Sequence, residues 1–144
     1  MGVATNANSI LHNTLTTGEY RPAGVQKTLS PSMDIQVASN FERLLYNACG
    51  NDGDKIRARM EDFAQQNTLR IPDGEIAAIR SDFVSYAVDD EMTLAEIKTH
   101  YAKTGGLIDP HTAVGRVAAQ AHGRQVRQHG HAGGQDLNFV AFEI

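Results

Sequence analysis

The sequence contains a single cysteine, Cys49, and no tryptophan among its 144 residues. One cysteine excludes an intramolecular disulfide and a thiolate metal cluster, and it is typical of proteins from a reducing compartment. No apolar run approaches the roughly 20 residues that a membrane helix needs, and no basic segment leads into an apolar run at the N-terminus. We therefore expect a cytoplasmic protein without a membrane partner.

The sequence also lacks a strong excess of either charge, because 13 basic and 17 acidic residues give a formal net charge of only -4. Such a surface offers no general attraction to nucleic acid or to anionic membranes, so any anion site must be local. Hydrophobic residues make up 41% of the chain and charged residues 21%. This is ordinary globular composition and predicts a compact structure with its own core.

Local signals predict a mainly helical chain. A Ser-x-x-Glu capping box at 39–42 begins a helix that ends before Gly50, and a Thr-x-x-Glu box at 93–96 begins one that ends before Gly105. Asp109 stands as an N-cap before a helix with a small-residue apolar face. The remaining predicted elements are helices at 54–66 and 73–83, a short helix within 5–13, a loop over 16–31 and a short strand or tail over 137–144.

Three motifs occur along the chain: ATNAN at 4–8, TLSPSMDI followed by SNFERLL at 28–45, and GLIDPHTAVG at 106–115. In type and order they resemble the C-terminal part of threonine synthase, over residues 3–119. The resemblance implies an α/β fold, that of the fold type II pyridoxal-phosphate enzymes. This chain would be a predominantly α-helical part of that fold with few short strands. The implied reaction converts O-phosphohomoserine and water into threonine and phosphate.

The resemblance also implies which parts of such an enzyme this sequence lacks. In the family, the Schiff-base lysine and the glycine-rich phosphate loop lie upstream of the ATN-like segment, and an Ala-His-Pro-like turn lies beyond the DPHTAVG-like segment. Neither region has a counterpart here, so we do not expect catalysis by this chain alone. Surface positions are expected for all the lysines: Lys27, Lys55, Lys98 and Lys103.

Two predicted helix starts are candidate anion sites, because backbone N–H groups at a helix N-terminus suit phosphate and carboxylate. Asn40 and Arg43 lie at the first, where Arg43 is either a phosphate ligand or an ordinary surface arginine. His111 and Thr112 lie at the second. His111 is the only candidate catalytic residue, although packing is the plain alternative, with Asp109 merely capping.

Polar residues in the first two motifs are candidates for the cofactor or substrate environment. Thr5, Asn6 and Asn8 offer hydroxyl and amide donors, although asparagine near a helix start is more often a cap. Ser30 and Asp34 flank a proline turn that Asp34 alone could hold through backbone hydrogen bonds. The residues themselves leave these roles open.

From His122 the composition shifts to glycine, glutamine, arginine and histidine, so we divide the chain into a synthase-like part at 1–121 and a tail at 122–144. The tail is expected to be disordered, or to be a frame-shifted reading of the family's continuation. Besides His122, the tail contains His129 and His131, which at i and i+2 could share a transition metal, but no third ligand has a fixed spacing, and no metal site is predicted.

Three functions remain in view. The first is a piece of threonine synthase, inactive alone. The second is a non-catalytic interaction module that docks onto a partner through an exposed apolar patch. The third is a metal-binding protein that works through its histidine tail. Nothing in the sequence predicts an oligomeric state.

Overall fold

A computed structural model describes residues 1–128 and 139–141 of the chain, with side chains through residue 125. Helices predominate and the strands are short, as predicted. The elements in chain order are β1 (Gly2–Thr5), α1 (Ile10–Thr17), β2 (Glu19–Tyr20), a 3₁₀ turn (Pro31–Met33), α2 (Phe41–Ala48), α3 (Gly53–Gln66), β3 (Leu69–Arg70), α4 (Asp73–Asp82), β4 (Val84–Ala87), α5 (Asp90–Thr104), α6 (Pro110–Gln128) and β5 (Phe139–Ala141).

The main sheet is parallel and has the strand order β4-β1-β5. β1 lies in the middle, where Gly2 is opposite Val84 of β4 and Phe139 of β5. A second, two-stranded sheet pairs β2 with β3 in antiparallel fashion. Parallel strands need crossover connections, and the intervening helices supply them.

Helices cover both faces of the main sheet. Successive residues of a strand point to opposite faces, and two neighbouring residues of β1 contact different helices. Val3 packs in one apolar cluster with Ile10 and Leu11 of α1. Ala4, the next residue, packs in a second cluster with Val114 and Ala118 of α6. The layers are therefore helix, sheet and helix, which confirms the expected α/β class.

The larger core lies on the α1 side and is organised around Tyr20. Its ring centroid is 4.9 Å from that of Phe41 and 5.1 Å from that of Phe63, so residues of β2, α2 and α3 meet there. The Tyr20 hydroxyl accepts a 2.8 Å hydrogen bond from the backbone N–H of Ala38, and burial raises its pKa. Leu45 of α2 is only 1% exposed in the same core.

The predicted helices are present, but both capping boxes were wrong. At α2 the N-cap is Asn40, which makes no side-chain capping bond. α5 begins before Thr93, because the Asp89 carboxylate caps it by accepting from the Met92 N–H at 2.8 Å. Thr93 lies inside the helix and donates its hydroxyl to the Asp89 carbonyl. An aspartate carboxylate is as good an N-cap as threonine, and it set the earlier start.

Strands β1, β2, β3 and β4 were not predicted. β1 is buried along its whole length, and a short strand covered on both faces shows no alternation of apolar and polar residues. β1 takes Thr5, the first residue of the span 5–13 in which a helix was predicted, and the helix begins only at Ile10 and continues beyond that span to Thr17. The predicted loop over 16–31 also contains the end of α1 and all of β2.

α6 extends to Gln128 and so includes the first seven residues of the predicted tail. Tyr86 of β4 holds this part of the helix, because its hydroxyl contacts Nδ1 of His122 at 3.4 Å and Oε1 of Gln125 at 2.5 Å. β5 confirms a strand within 137–144. The rest of the tail lies outside the described residues, and no helix described for the chain is long and apolar enough to span a membrane.

Candidate functional site

The chain leaves β1 at its carboxyl end, the edge of a parallel sheet where α/β proteins usually bind ligands. Thr5, at this end, is buried, and its hydroxyl donates to the Tyr86 carbonyl at 3.3 Å. The next polar side chain, Asn6, is only 2% exposed and turns away from the sheet toward the loop at 28–34. Thr5 therefore pairs with β4, whereas Asn6 belongs to a polar cluster with the residues of that loop.

Asn6 is surrounded by oxygen acceptors from the TLSPSMD motif. Its Nδ2 lies 2.8 Å from Oγ1 of Thr28, 3.0 Å from Oγ of Ser30 and 2.7 Å from Oδ1 of Asp34. Its own Oδ1 accepts from the Asn8 N–H at 2.8 Å, which closes a turn after β1. The first motif is thereby fastened to the second through buried side chains.

Asn8 extends the same cluster toward the loop that precedes Thr28. Its Nδ2 donates to the Gln26 carbonyl at 2.7 Å and lies 2.8 Å from Oδ1 of Asp34. Its Oδ1 accepts from the Gln26 N–H at 2.7 Å. Asn8 therefore pairs with the loop backbone as a strand neighbour would, and it is not a helix cap, since Ser9 holds the N-cap position of α1.

Asp34 is the centre of this cluster, which we call the Asp34 network: Asn6, Asn8, Thr28, Ser30 and Asp34. Besides both asparagine amides, its carboxylate accepts from Oγ1 of Thr28 at 2.6 Å and from the Thr28 N–H at 3.0 Å. Burial alone would raise the Asp34 pKa, but these hydrogen bonds outweigh it, and the pKa lies below its usual value. The carboxylate is therefore ionised at neutral pH.

The structure thus brings together four of the predicted site residues and adds Thr28, which the sequence analysis missed. Every buried side-chain polar atom in the described part of the chain has a hydrogen-bond partner. Bonds from Asp34 to the Thr28 backbone agree with the prediction that this aspartate holds the turn. The Thr-x-Ser spacing, which favours local side-chain to backbone bonds such as Thr28 to the Ser30 N–H, was the signal that could have identified Thr28.

The N-terminus of α6 forms a second polar cluster next to the 3₁₀ turn. Asp109 caps the helix as predicted, since its Oδ1 accepts from the Thr112 N–H at 3.0 Å and its Oδ2 from the Thr112 hydroxyl at 2.6 Å. These bonds, with a smaller contribution from His111, lower the Asp109 pKa to about 2. Thr112 is consequently turned toward Asp109.

His111 bridges two elements that are far apart in sequence. Its Nδ1 lies 3.3 Å from Oδ1 of Asp109, and its Nε2 contacts Oγ of Ser32 in the 3₁₀ turn. The His111 side chain is 25% exposed. Ser32 was not among the predicted site residues, and no local sequence signal points across the 79 positions that separate the two.

Asn40 and Arg43, at the start of α2, are both exposed. Arg43 lines an open groove of about 480 Å³ between α2 and α3, together with Ser39, Glu42, Tyr46, Gly53 and Ile56. No hydrogen bond in the part of the chain that the structure describes links either residue to the Asp34 network or to His111. The α2 candidates therefore form a separate location.

The described residues do not fit the attachment of pyridoxal phosphate. All the lysines, at 27, 55, 98 and 103, are exposed, and Lys55 forms a surface ion pair with Asp52 at 3.3 Å. A Schiff-base lysine instead needs a desolvated setting or a cationic neighbour that lowers its pKa. For metals, residues 1–128 and 139–141 contain no group of three ligands, whereas His129 and His131 lie outside the described residues.

Comparison with known proteins gives a consistent result. Threonine synthase of Pseudomonas aeruginosa is 42% identical over 118 residues, a match that covers 82% of this chain and 25% of that protein. Saccharomyces cerevisiae threonine synthase is 36% identical over 134 residues and matches with 26% of its length. No family model matches the sequence.

The structural comparison agrees. The crystal structure of PLP-bound threonine synthase from Brucella melitensis superposes with a TM-score of 0.83 at 37% identity, covering 99% of this chain and 29% of that one. The yeast enzyme gives a TM-score of 0.81 at 28% identity and 29% coverage. The chain thus spans about a quarter of the length of its relatives. It belongs to the threonine synthase family and corresponds to part of a full-length member.

Proposed function

We propose that this chain supplies the C-terminal part of a threonine synthase that converts O-phospho-L-homoserine and water into L-threonine and phosphate in the cytoplasm. The observation that carries the proposal is the Asp34 network, which joins the ATN motif to the TLSPSMD motif with every buried side-chain polar atom hydrogen-bonded. A fully paired buried network specifies one arrangement of its segments, since any rearrangement leaves polar groups unpaired. The chain would bring this edge of the site to the enzyme already ordered.

Polar residues at the starts of α2 and α6 would contact the substrate, whereas the Asp34 network would hold the surrounding loops in place. Asn40 and Arg43 lie exposed at the start of α2 and can offer donors to the phosphate or the carboxylate of the substrate. His111 and Thr112 lie at the first turn of α6, where a bound anion would take up donors that now bond to Asp109. Asn6, Asn8, Ser30 and Asp34 hold the loop that faces the cofactor, and Thr5 fixes the end of β1. The cofactor itself must be attached to a lysine outside this chain.

The test is assembly of an active enzyme from two pieces. The partner piece is Pseudomonas aeruginosa threonine synthase from which the 118-residue matched region has been removed. We expect that the two polypeptides, refolded together with pyridoxal phosphate, release phosphate from O-phosphohomoserine and form threonine, whereas either piece alone does not. The excised 118-residue region of the Pseudomonas enzyme, added in place of this chain, is the positive control.

Restored activity with the Pseudomonas region but none with this chain would overturn the proposal. Borohydride reduction of the isolated chain with pyridoxal phosphate supplies a further check. No single lysine should be labelled preferentially, since all of them are exposed. A specific adduct on one lysine would show that the chain carries a cofactor site of its own.

A non-catalytic interaction module is the second candidate, and exposed apolar side chains favour it. Leu107 is 79% exposed, Tyr101 55%, Met92 47% and Leu94 43%, all on or just after α5. In the complete enzyme such a surface would be covered by the missing part, and in a module it would contact a partner. A stable complex with the Pseudomonas piece that forms no threonine, while the control region restores activity, would favour the module.

A further inference from the structure

Polar contacts connect three side chains in a row, from Ser32 through His111 to Asp109. Oγ of Ser32 lies 2.5 Å from Nε2 of His111, and Nδ1 of the same ring lies 3.3 Å from Oδ1 of Asp109. The imidazole is thus contacted by a hydroxyl on one side and a carboxylate on the other. In serine acyl transfer, a hydroxyl is the nucleophile, an imidazole is the base and a carboxylate orients the imidazole. Such a set is recognised by its geometry and not by its order in the sequence.

The state of each group follows from its contacts. Two hydrogen bonds from Thr112 hold the Asp109 carboxylate in place, and it is ionised at neutral pH because its pKa is about 2. A carboxylate can only accept, so Nδ1 of His111 carries the proton that it donates to Asp109. Nε2 of the neutral ring is then an acceptor, and the Ser32 hydroxyl donates to it.

This hydroxyl can be reached by a substrate. Ser32 is exposed and lies in the 3₁₀ turn between Pro31 and Met33. Met33 is 3% exposed and anchors the turn in the α6-side core. The nucleophile is therefore held on a fixed support with its oxygen at the surface.

We propose that Ser32 is an acyl-accepting nucleophile toward activated carboxylic esters, with His111 as its general base and Asp109 as the residue that orients the ring. In the reaction, Oγ of Ser32 attacks the ester carbonyl carbon while its proton moves to Nε2 of His111. The bond from the carbonyl carbon to the leaving alcohol then breaks, and the alkoxide takes the proton back from His111. The products are an acyl ester on Ser32 and the free alcohol.

The experiment treats the intact chain with p-nitrophenyl acetate and follows p-nitrophenolate release by absorbance and the acetylated peptide by mass spectrometry. A positioned general base is worth about 100-fold to 10,000-fold in rate. We therefore expect Ser32 to be acetylated at least about 100 times faster than Ser39, an exposed serine that serves as a control within the same molecule.

Variants separate the three roles. Ser32→Ala should lose the acetylated peptide, and His111→Gln should reduce acetylation of Ser32 to the rate of Ser39. Asp109→Asn should also slow it, and asparagine keeps a good N-cap for α6. Acetylation of Ser32 no faster than of Ser39, an unchanged rate in His111→Gln, or acetyl label on His111 alone would each overturn the proposal. The comparison of two serines in the unmodified chain requires no variant to fold.

Discussion

Replacement of Asp34 by alanine is expected to lower the free energy of unfolding by about 3 kcal/mol at neutral pH. The change removes the carboxylate that accepts hydrogen bonds from the buried side chains of Asn6, Asn8 and Thr28 and from the Thr28 backbone N–H. Asn6 keeps Oγ of Ser30 as an acceptor and Asn8 keeps the Gln26 carbonyl. Hydrogen bonds to a charged group nevertheless contribute roughly 1.5–3 kcal/mol each, and several of them are lost at once. Urea denaturation followed by circular dichroism measures the difference.

The loss should also depend on pH, with a sign fixed by the Asp34 pKa, which lies below its usual value in the folded chain. A depressed pKa stabilises the fold at pH values above the unfolded pKa of roughly 4. This stabilisation is lost as the pH falls through the lower, folded value. The gap in stability between the native chain and Asp34→Ala should therefore narrow in acid.

Asp73→Ala is the matched control, because that side chain is 96% exposed at the start of α4. Its effect should stay within about 0.5 kcal/mol, as is usual for surface substitutions. If Asp34→Ala were as mild as this control, or if its effect were the same at every pH, the Asp34 network would not hold the two motifs together.

Leu45→Ala is expected to lower the free energy of unfolding by about 3 kcal/mol, which is within the range for a leucine truncated in a packed core. Leu45 is 1% exposed, in the core that also contains Tyr20 and Phe41. The cavity would lie where α2 meets the body of the structure. Thermal and urea unfolding of the isolated chain measure the loss.

Leu94→Ala makes the same chemical change at an exposed position of α5, since Leu94 is 43% exposed. We expect almost no loss there, since alanine is also a good helix former. Equal losses at the two positions would contradict the core described here. In a complex with the missing part of a synthase, Leu94→Ala should become costly if this surface is the one that is covered.

Local signals in the sequence were sufficient for three of the helices and insufficient for the sheet. α2, α3 and α4 lie within about a residue of their predicted bounds, because apolar spacing and the Asp, Gly and Pro signals are local properties. β1 and β4 pair across about 80 residues, from Gly2 to Val84. The four residues of β1 contain no local signal that identifies β4 as their partner.

The same limit applies to the candidate site. Four site candidates were selected because they belong to the ATNAN and TLSPSMDI motifs, and the structure brings these four together: Asn6, Asn8, Ser30 and Asp34. Ser32 was missed as the partner of His111, because a contact between a turn and a distant helix start has no periodicity to reveal it. Glu96 was assigned to a capping box, yet it is a buried carboxylate bonded to Arg116 at 2.7 Å and Gln120 at 3.2 Å.

The central claim is that this chain works only as part of a threonine synthase, and sequencing the DNA on both sides of its reading frame tests that claim most directly. Translation in all three frames should reveal an upstream segment with the cofactor lysine and its phosphate loop. A shifted frame across 120–144 that restores the family's continuation with its Ala-His-Pro-like turn would support the same conclusion. Flanking DNA that encodes neither would contradict the account and leave the interaction module as the better explanation.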